Sequence, residues 1–473
     1  MCDKYEIRIG NILALFWNTN NESENLHFAD GDLRMKKSLF ALAALGAFAG
    51  TAQAQSSVTI YGNLDATEVY QTAGNGKSLA LTAAANTTSL WGLTGSEDMG
   101  SGLKMGFDLK SEINLATGAT GSTTNVPPTT TILVTSATGS SATSPTQVGG
   151  VSNLFNRGAN LFMTSASFGE VKVGRMDDIE WAMSGQFSTS NSNSFGSNQS
   201  HAQVGNLNNT GLGICGAKGV NGNGVCSTMG YVASNYSYSG SSDAFMAGIQ
   251  YTSPNFNGVT VKVQNGLGAN DQTINMWAGN SQAVGIFYNG LGGALNLAAA
   301  QSRKSDETGA LGLTLTSFGA KYKVTNPITL TGIWTQTGLS NQTAAPGVIG
   351  TSGANAGNTS WSLGVNYQVT PAADISVAYT SVTGDTSPTA NGTGTNTSVN
   401  GTANSVTMWG LTGRYNFSKR TQMYAGAGQS SNTGAYFMSP IYGGTTMTAV
   451  SATDTRGSGG SITAYMLGLR HTF

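Results

Sequence analysis

Residues 462–473 read "ITAYMLGLRHTF", and the alternation in this stretch decides the fold. Tyr465, Leu467, Leu469, His471 and Phe473 share one parity, while Ala464, Met466, Gly468, Arg470 and Thr472 share the other. A period of two is the mark of a strand with two unlike faces. One face here is apolar and aromatic, and the other is small or polar and carries a charge. A soluble sandwich strand also alternates, but it rarely ends the polypeptide on a phenylalanine carboxylate.

The pattern returns upstream. In "GLKMGFDLKSEI", Leu103, Met105, Phe107 and Leu109 oppose Lys104, Gly106, Asp108 and Lys110. In "GVTVKVQN", Val259, Val261 and Val263 oppose Lys262 and Gln264; in "SFGAKYKV", Phe318, Tyr322 and Val324 oppose Lys321 and Lys323. A lipid-facing apolar band around a polar lumen predicts this dyad. A packed barrel or sandwich would turn the apolar parity inward instead, and periodicity alone does not choose between the two orientations.

The start of the chain bears on that choice. Residues 35–54, "MKKSLFALAALGAFAGTAQA", place Lys36 and Lys37 before an apolar run from Leu39 to Gly50 and an Ala52-Gln53-Ala54 triplet. That order describes a secretory signal peptide; the alternative is a short buried helix. Residues 1–34 then read as an upstream extension from a mis-assigned start. The mature chain would run from Gln55 to Phe473, 419 residues.

Charged residues are 10% of the chain, against roughly 25% in ordinary soluble domains. The mature part carries 17 Lys and Arg against 17 Asp and Glu, so it lacks the basic stripe of a nucleic-acid binder. No apolar run reaches the length of a membrane-crossing helix. An exported chain of this kind is either soluble or a closed barrel, the other permitted membrane architecture.

Tight turns at 96–102, 168–170, 254–258, 289–293, 325–327, 370–374 and 417–420 alternate with long polar tracts, the largest being 116–152, 177–242, 338–360, 381–404 and 429–460. Strands are predicted at 58–70, 87–96, 102–114, 155–167, 170–177, 244–253, 259–267, 281–290, 293–303, 314–324, 328–337, 360–369, 374–381, 405–416, 421–429 and 461–473. The fold class is therefore all-β: a 16-stranded antiparallel transmembrane β-barrel. Sixteen strands leave an aqueous interior, whereas eight would fill with side chains.

Cys215 and Cys226 lie in a Gly-rich loop. In an oxidising compartment they are expected to bridge; as metal ligands they would have only His201 nearby. The chain has no G-x-S-x-G, H-E-x-x-H or phosphate-loop motif. No catalytic residue, metal site or cofactor is expected.

In order along residues 55–473, "SSVTIYGNLDA", "WGLTGSEDMGSGLKMGFDL", "FGEVKVGR", "YTSPNFNGVTVKV", "YNFSKRTQMYAGAG" and "GLRHTF" resemble the signatures of Gram-negative general diffusion porins of the β-proteobacterial type. The resemblance implies a homotrimer in outer-membrane lipid and lipopolysaccharide. It also implies insertion by the outer-membrane assembly machinery, with Phe473 as the assembly signal, and passage of small hydrophilic solutes and ions. Its third long loop folds inward as a constriction. Asp177, Asp178 and Glu180 are then the acidic candidates, faced by wall cations among Lys104, Lys110, Arg157, Lys172, Arg175, Arg303 and Arg414. Arg175 shares parity with Val171 and Val173, which argues outward, but it ends its strand where the chain turns into the loop. The segment 116–150 and the loop around the cysteines are longer than the resemblance leads one to expect. A substrate-specific outer-membrane channel and a soluble exported adhesin-like β protein are the alternatives.

Overall fold

The computed structural model describes residues 57–73, 76–82, 85–120, 154–189, 245–267, 280–305, 311–341, 356–384, 405–433, 440–441 and 460–473. The upstream extension, the signal segment, most of the Thr/Ser-rich tract and both loop cysteines, Cys215 and Cys226, lie outside the described residues.

Seventeen strands among the described residues form one sheet. They are β1 (Ser57–Ala73), β2 (Gly76–Thr82), β3 (Leu90–Gly100), β4 (Leu103–Glu112), β5 (Gly158–Ser165), β6 (Gly169–Asp177), β7 (Phe245–Thr252), β8 (Val259–Gly266), β9 (Ser281–Gly290), β10 (Leu295–Ser305), β11 (Leu311–Lys323), β12 (Ile328–Asn341), β13 (Ala356–Thr370), β14 (Ala373–Gly384), β15 (Ser405–Asn416), β16 (Thr421–Thr433) and β17 (Gly460–Thr472). Neighbours are antiparallel, and β1 closes the ring on β17 from Asn63↔Thr472 to Ala73↔Ile462. Closure leaves no row of unpaired backbone groups facing hydrocarbon.

The ring has sixteen staves, and the second is split. Along its other edge β1 pairs with β3 from Ser57↔Ser96 to Asn63↔Leu90, then with β2 from Thr67↔Thr82 to Ala73↔Gly76. The sequence predicts only one strand here, at 87–96. The division centres on Asp65, which is fully buried. Residues 85–89 leave the ladder and clasp it. The Thr87 amide and hydroxyl donate to Asp65 Oδ2 at 2.7 and 3.0 Å, and the Asp65 amide donates to the Ser89 hydroxyl at 2.8 Å. The hydroxyls of Thr67 and Tyr424 donate to Oδ1. A buried carboxylate needs such donors, and one continuous strand could not supply them.

Orientation is settled by exposure. Leu467 and Leu469 are 56% and 52% exposed, whereas Ala464 and Met466 on the same strand are 0% and 3%. The same holds around the ring: Leu161, Val263, Ile286, Phe318, Leu363 and Trp409 all point outward and are exposed. In water this surface would be a large uncovered apolar patch; in a bilayer it is the lipid-facing band. Outward aromatic pairs border the band, among them Trp361–Tyr379 at 5.4 Å and Tyr415–Phe417 at 5.2 Å between ring centres. The inward parity is rich in hydroxyls, such as Ser317 and Thr335, 3.1 Å apart. Spin labels at 467 and 469 are therefore expected to be relaxed by lipid-soluble oxygen, and labels at 104 and 262 by a water-soluble paramagnet. The reverse pattern would overturn the orientation.

Candidate functional site

The chain leaves the wall at the end of β6. Gly174 takes φ +123°, a conformation that suits glycine, and the alternation of β6 breaks there. Asp177, outward by count from Val171 and Val173, instead reaches Lys110, whose parity is inward: Asp177 Oδ2 lies 3.6 Å from Lys110 Nζ. Asp178 follows in extended conformation as an N-cap, its carboxylate accepting from the Glu180 amide at 2.9 Å. Such a cap satisfies one orphan donor of the helix it starts. Helix α1 (Ile179–Gln186) then runs inside the barrel along the inner wall.

The wall is built to receive it. Ile179, Met183 and Phe187 fall four residues apart, so they share one face. They pack on Ala283, Ala298, Ala300 and Ile333, with Phe287 at the margin. Larger residues on β9 to β13 would collide. A Cβ at Gly285 would lie 2.8 Å from Ile179 Cγ2, one at Gly319 would lie 2.4 Å from the Phe187 ring, and one at Gly364 would overlap Thr189. Thr189 and Thr331 exchange a hydroxyl hydrogen bond of 2.9 Å at the far end. Burying three such side chains is worth about 1.5–3 kcal/mol each, enough to hold a short helix that would not form alone. At the near end the Gln264 amide of β8 donates to Asp178 Oδ2 at 2.9 Å and accepts from the Ile179 amide at 3.1 Å.

Of the three acidic candidates only Asp177 presents its carboxylate to the lumen, with a side chain 41% exposed. Asp178 and Glu180 are corrected: both are buried, at 0% and 3% exposure, so neither presents its carboxylate to open water. Asp178 is held against the wall by the Gln264 carboxamide of β8. Lys110 is bracketed by carboxylates, with Asp108 at 3.2 Å as well as Asp177, and the Tyr61 hydroxyl donates to Asp108 at 2.5 Å.

The remaining cations divide. Arg157 is buried and paired with Glu112 at 3.1 Å; Arg175 Nε donates to the Asn156 carbonyl at 2.5 Å beside it. Lys172 pairs with Glu170 at 3.0 Å, and Arg414 with Asp374 at 2.8 Å. Lys104 has inward parity but sits exposed at the rim, opposite Asp98 next to the Gly100–Gly102 turn. Arg303 is corrected: it shares the outward parity of β10 with Leu297 and Gln301 and is exposed, so it is not a wall cation. Phe473 lies at the rim of the short 417–420 turn, where its backbone exchanges hydrogen bonds of 3.0 and 3.2 Å with Gly62.

Inward cations among the described residues that were not candidates include Lys262, Arg470 and Lys321. Lys262 stands over the Phe287 ring at 5.1 Å, Arg470 Nε donates to Asn63 at 2.7 Å, and Lys321 lies near Arg414. Strand parity alone would have found all three. Among the described residues no three His, Cys, Asp or Glu side chains gather as a metal site.

The sequence profile of a Gram-negative porin family matches residues 41–435. Over 82 residues the chain is 50% identical to outer membrane porin protein 32 of Delftia acidovorans, a match covering 17% of this chain and 23% of that protein. Over 160 residues it is 32% identical to an outer membrane porin protein of Bordetella pertussis, covering 31% of this chain and 34% of that one. These matches thus span about a third or less of either relative's length. Among solved structures, an anion-selective porin from Comamonas acidovorans aligns with TM-score 0.57 at 19% identity, over 89% of this chain and 100% of that one. A loop-deleted OmpT of Vibrio cholerae aligns with TM-score 0.50 at 12% identity, over 88% and 99%. Those identities speak to the fold alone. With a family profile running through most of the barrel, the chain belongs to the Gram-negative porins.

Proposed function

We propose that the chain forms a water-filled channel in the outer membrane of a Gram-negative bacterium, passing small hydrophilic solutes and ions by diffusion, with a preference for anions. The observation that carries this reading is the inward helix α1, seated inside a barrel whose exposed apolar band faces outward and whose inward parity is rich in hydroxyls. An inward segment narrows a lumen without closing it. Opposed charges at the narrowing set up a transverse field, and selectivity follows from pore width and charge at close quarters.

The sign comes from where the charges lie. The described residues contain 15 Lys and Arg against 11 Asp and Glu, although the mature chain is neutral. Two of those acids on the inward segment, Asp178 and Glu180, are buried. Setting aside the outward Lys77, Arg303, Glu68 and Glu97, cations still outnumber acids on the inward parity and the turns among the described residues, and a positive potential raises the local concentration of anions.

Assembly as a homotrimer in lipid and lipopolysaccharide, through the outer-membrane assembly machinery and its recognition of Phe473, belongs to the same proposal. Glu68 supports it. This acid is exposed on the outward parity, one outward position from the stacked Tyr70–Tyr465 pair. A charge facing lipid is disfavoured, and a second copy over β1 would cover it.

The test is planar-bilayer recording of the refolded chain, residues 55–473, under a salt gradient. The wild type is expected to show a reversal potential of anion-preferring sign. D177N is expected to raise the anion-to-cation permeability ratio severalfold, and K110Q to lower it by a similar factor. Absence of conductance in the folded protein would remove the channel reading; two variants moving the potential in the same direction would remove the assigned field.

A further inference from the structure

We infer that Gln264 is a positioning residue that fixes how far α1 stands into the lumen, and so sets the width and steadiness of the channel. The inference rests on the channel reading above. Gln264 is buried on the inward parity of β8. Its carboxamide uses both ends on two consecutive residues of the incoming segment: Nε2 donates to the Asp178 carboxylate at 2.9 Å, and Oε1 accepts from the Ile179 amide at 3.1 Å. Two bonds to adjacent residues fix direction as well as distance. Gln250 of β7 orients the latch in turn. Its amide donates to Gln264 Oε1 at 3.1 Å and reaches the Asp177 carbonyl at 3.4 Å.

The other contacts along α1 are of a different kind. Ile179, Met183 and Phe187 lie on alanines and glycines, and apolar packing is non-directional. Such a seat holds a helix against a wall but resists sliding weakly. The N-terminal end of α1 sits beside Asp177 and Lys110, where the channel's opposed charges meet. A shift there changes the gap between them.

The chemistry required of position 264 is narrow. Ile179 is the first residue of the helix, so its N–H has no partner within the helix. Asp178 needs a donor for its second oxygen, and Ile179 needs an acceptor. A carboxamide supplies both; leucine supplies neither, and glutamate sets a second carboxylate against Asp178. Lys262, two residues before Gln264 on the same inward parity, has Lys172, Glu170 and Asp177 as charged neighbours.

The experiment is an exchange. Q264E is expected to drive the start of α1 off the wall, lowering mean single-channel conductance severalfold and adding open-channel noise. Combining it with D178N returns an amide to face a carboxylate, and Asn remains a good N-cap. The double variant is therefore expected to recover wild-type conductance and quiet openings. Folding is checked by heat-modifiable migration on a gel. If Q264E fails to fold, recovery of folding and conductance by the exchange carries the same meaning. An exchange that performs no better than Q264E, or a silent Q264E, overturns the latch and leaves the porin reading intact. Spin labels at Gly185 and Gly413, where an added side chain meets open space, give a readout independent of conduction. Their distance distribution is expected to broaden in Q264E and to narrow again in the exchange.

Discussion

Asp65→Ala is expected to destabilise the barrel by about 3 kcal/mol or more, since buried hydrogen bonds to a charged group are worth roughly 1.5–3 kcal/mol each and orphaned donors add a penalty. Asp65 accepts from Thr67, Thr87 and Tyr424 in a site with no water access. Truncation removes the acceptor of the Thr87 amide and leaves the Thr67 and Tyr424 hydroxyls only each other. It also loosens the segment 85–89 that bridges the split second stave. The Tyr424 ring packs with Val69, Ala85, Ile441, Ala464 and Met466, so the defect spreads across β1, β16 and β17. The measurement is the guanidinium midpoint of the refolded barrel in detergent, followed by tryptophan emission and by loss of heat-modifiable migration. Ser376→Ala, a buried hydroxyl away from the seam, is expected to cost far less. Equal midpoints for the two variants would show that the clasp does not hold the seam.

The second large effect concerns the seat of the inward helix. Gly319→Val places a side chain where Phe187 lies, with the first added atom 2.4 Å from the ring. Overpacking of this sort costs about 1–3 kcal/mol, and each 1.4 kcal/mol is about tenfold in population. The end of α1 is then expected to stand off the wall and into the lumen. Single-channel conductance should fall severalfold, with unsteady openings. Adding Phe187→Ala gives the valine the vacated space, and conductance is expected to recover. Gly413→Val is the control, because a Cβ there meets nothing within 4 Å. A G319V channel indistinguishable from wild type would mean that the seat does not govern the opening.

Much of the architecture was legible because period-two alternation reports directly on a ladder with unlike faces. The stretch at 462–473 and the turns between strands place nearly every stave within a few residues. β2 was not legible. "GKSLALT" alternates over seven residues only, between "GNG" and "AAANTT", and reads as part of a long polar connection. Its strand character is imposed by β1, whose upper edge would otherwise lie bare.

The charges divide along the same physical line. Arg303 follows Leu295, Leu297 and Gln301 in parity, so its outward position was already written in "LNLAAAQSR"; the run of alanines hides the count. Lys262, Lys321 and Arg470 were equally readable as inward. The burial of Asp178 was not readable, because it depends on a wall residue, Gln264, that lies 86 residues later, and nothing local marks Glu180 as buried. Gln264 carried no signal either. On the polar parity of a barrel an amide looks like any other lumen residue until its partner arrives.

The seam between β1 and β17 also governs the order of events during folding. Asn63 and Arg470, bonded across it, are 407 residues apart in the chain. Pairing at that separation raises contact order, which slows folding. The first strand made is thus among the last to be zipped on both sides, and Asp65 has no Tyr424 to receive until β16 has been synthesised. A chain halted before its final two strands would keep a raw edge and a hydrated acid where the clasp belongs. Commitment to the native ring is therefore a terminal event, and the nascent polypeptide must be kept soluble for the whole of that wait.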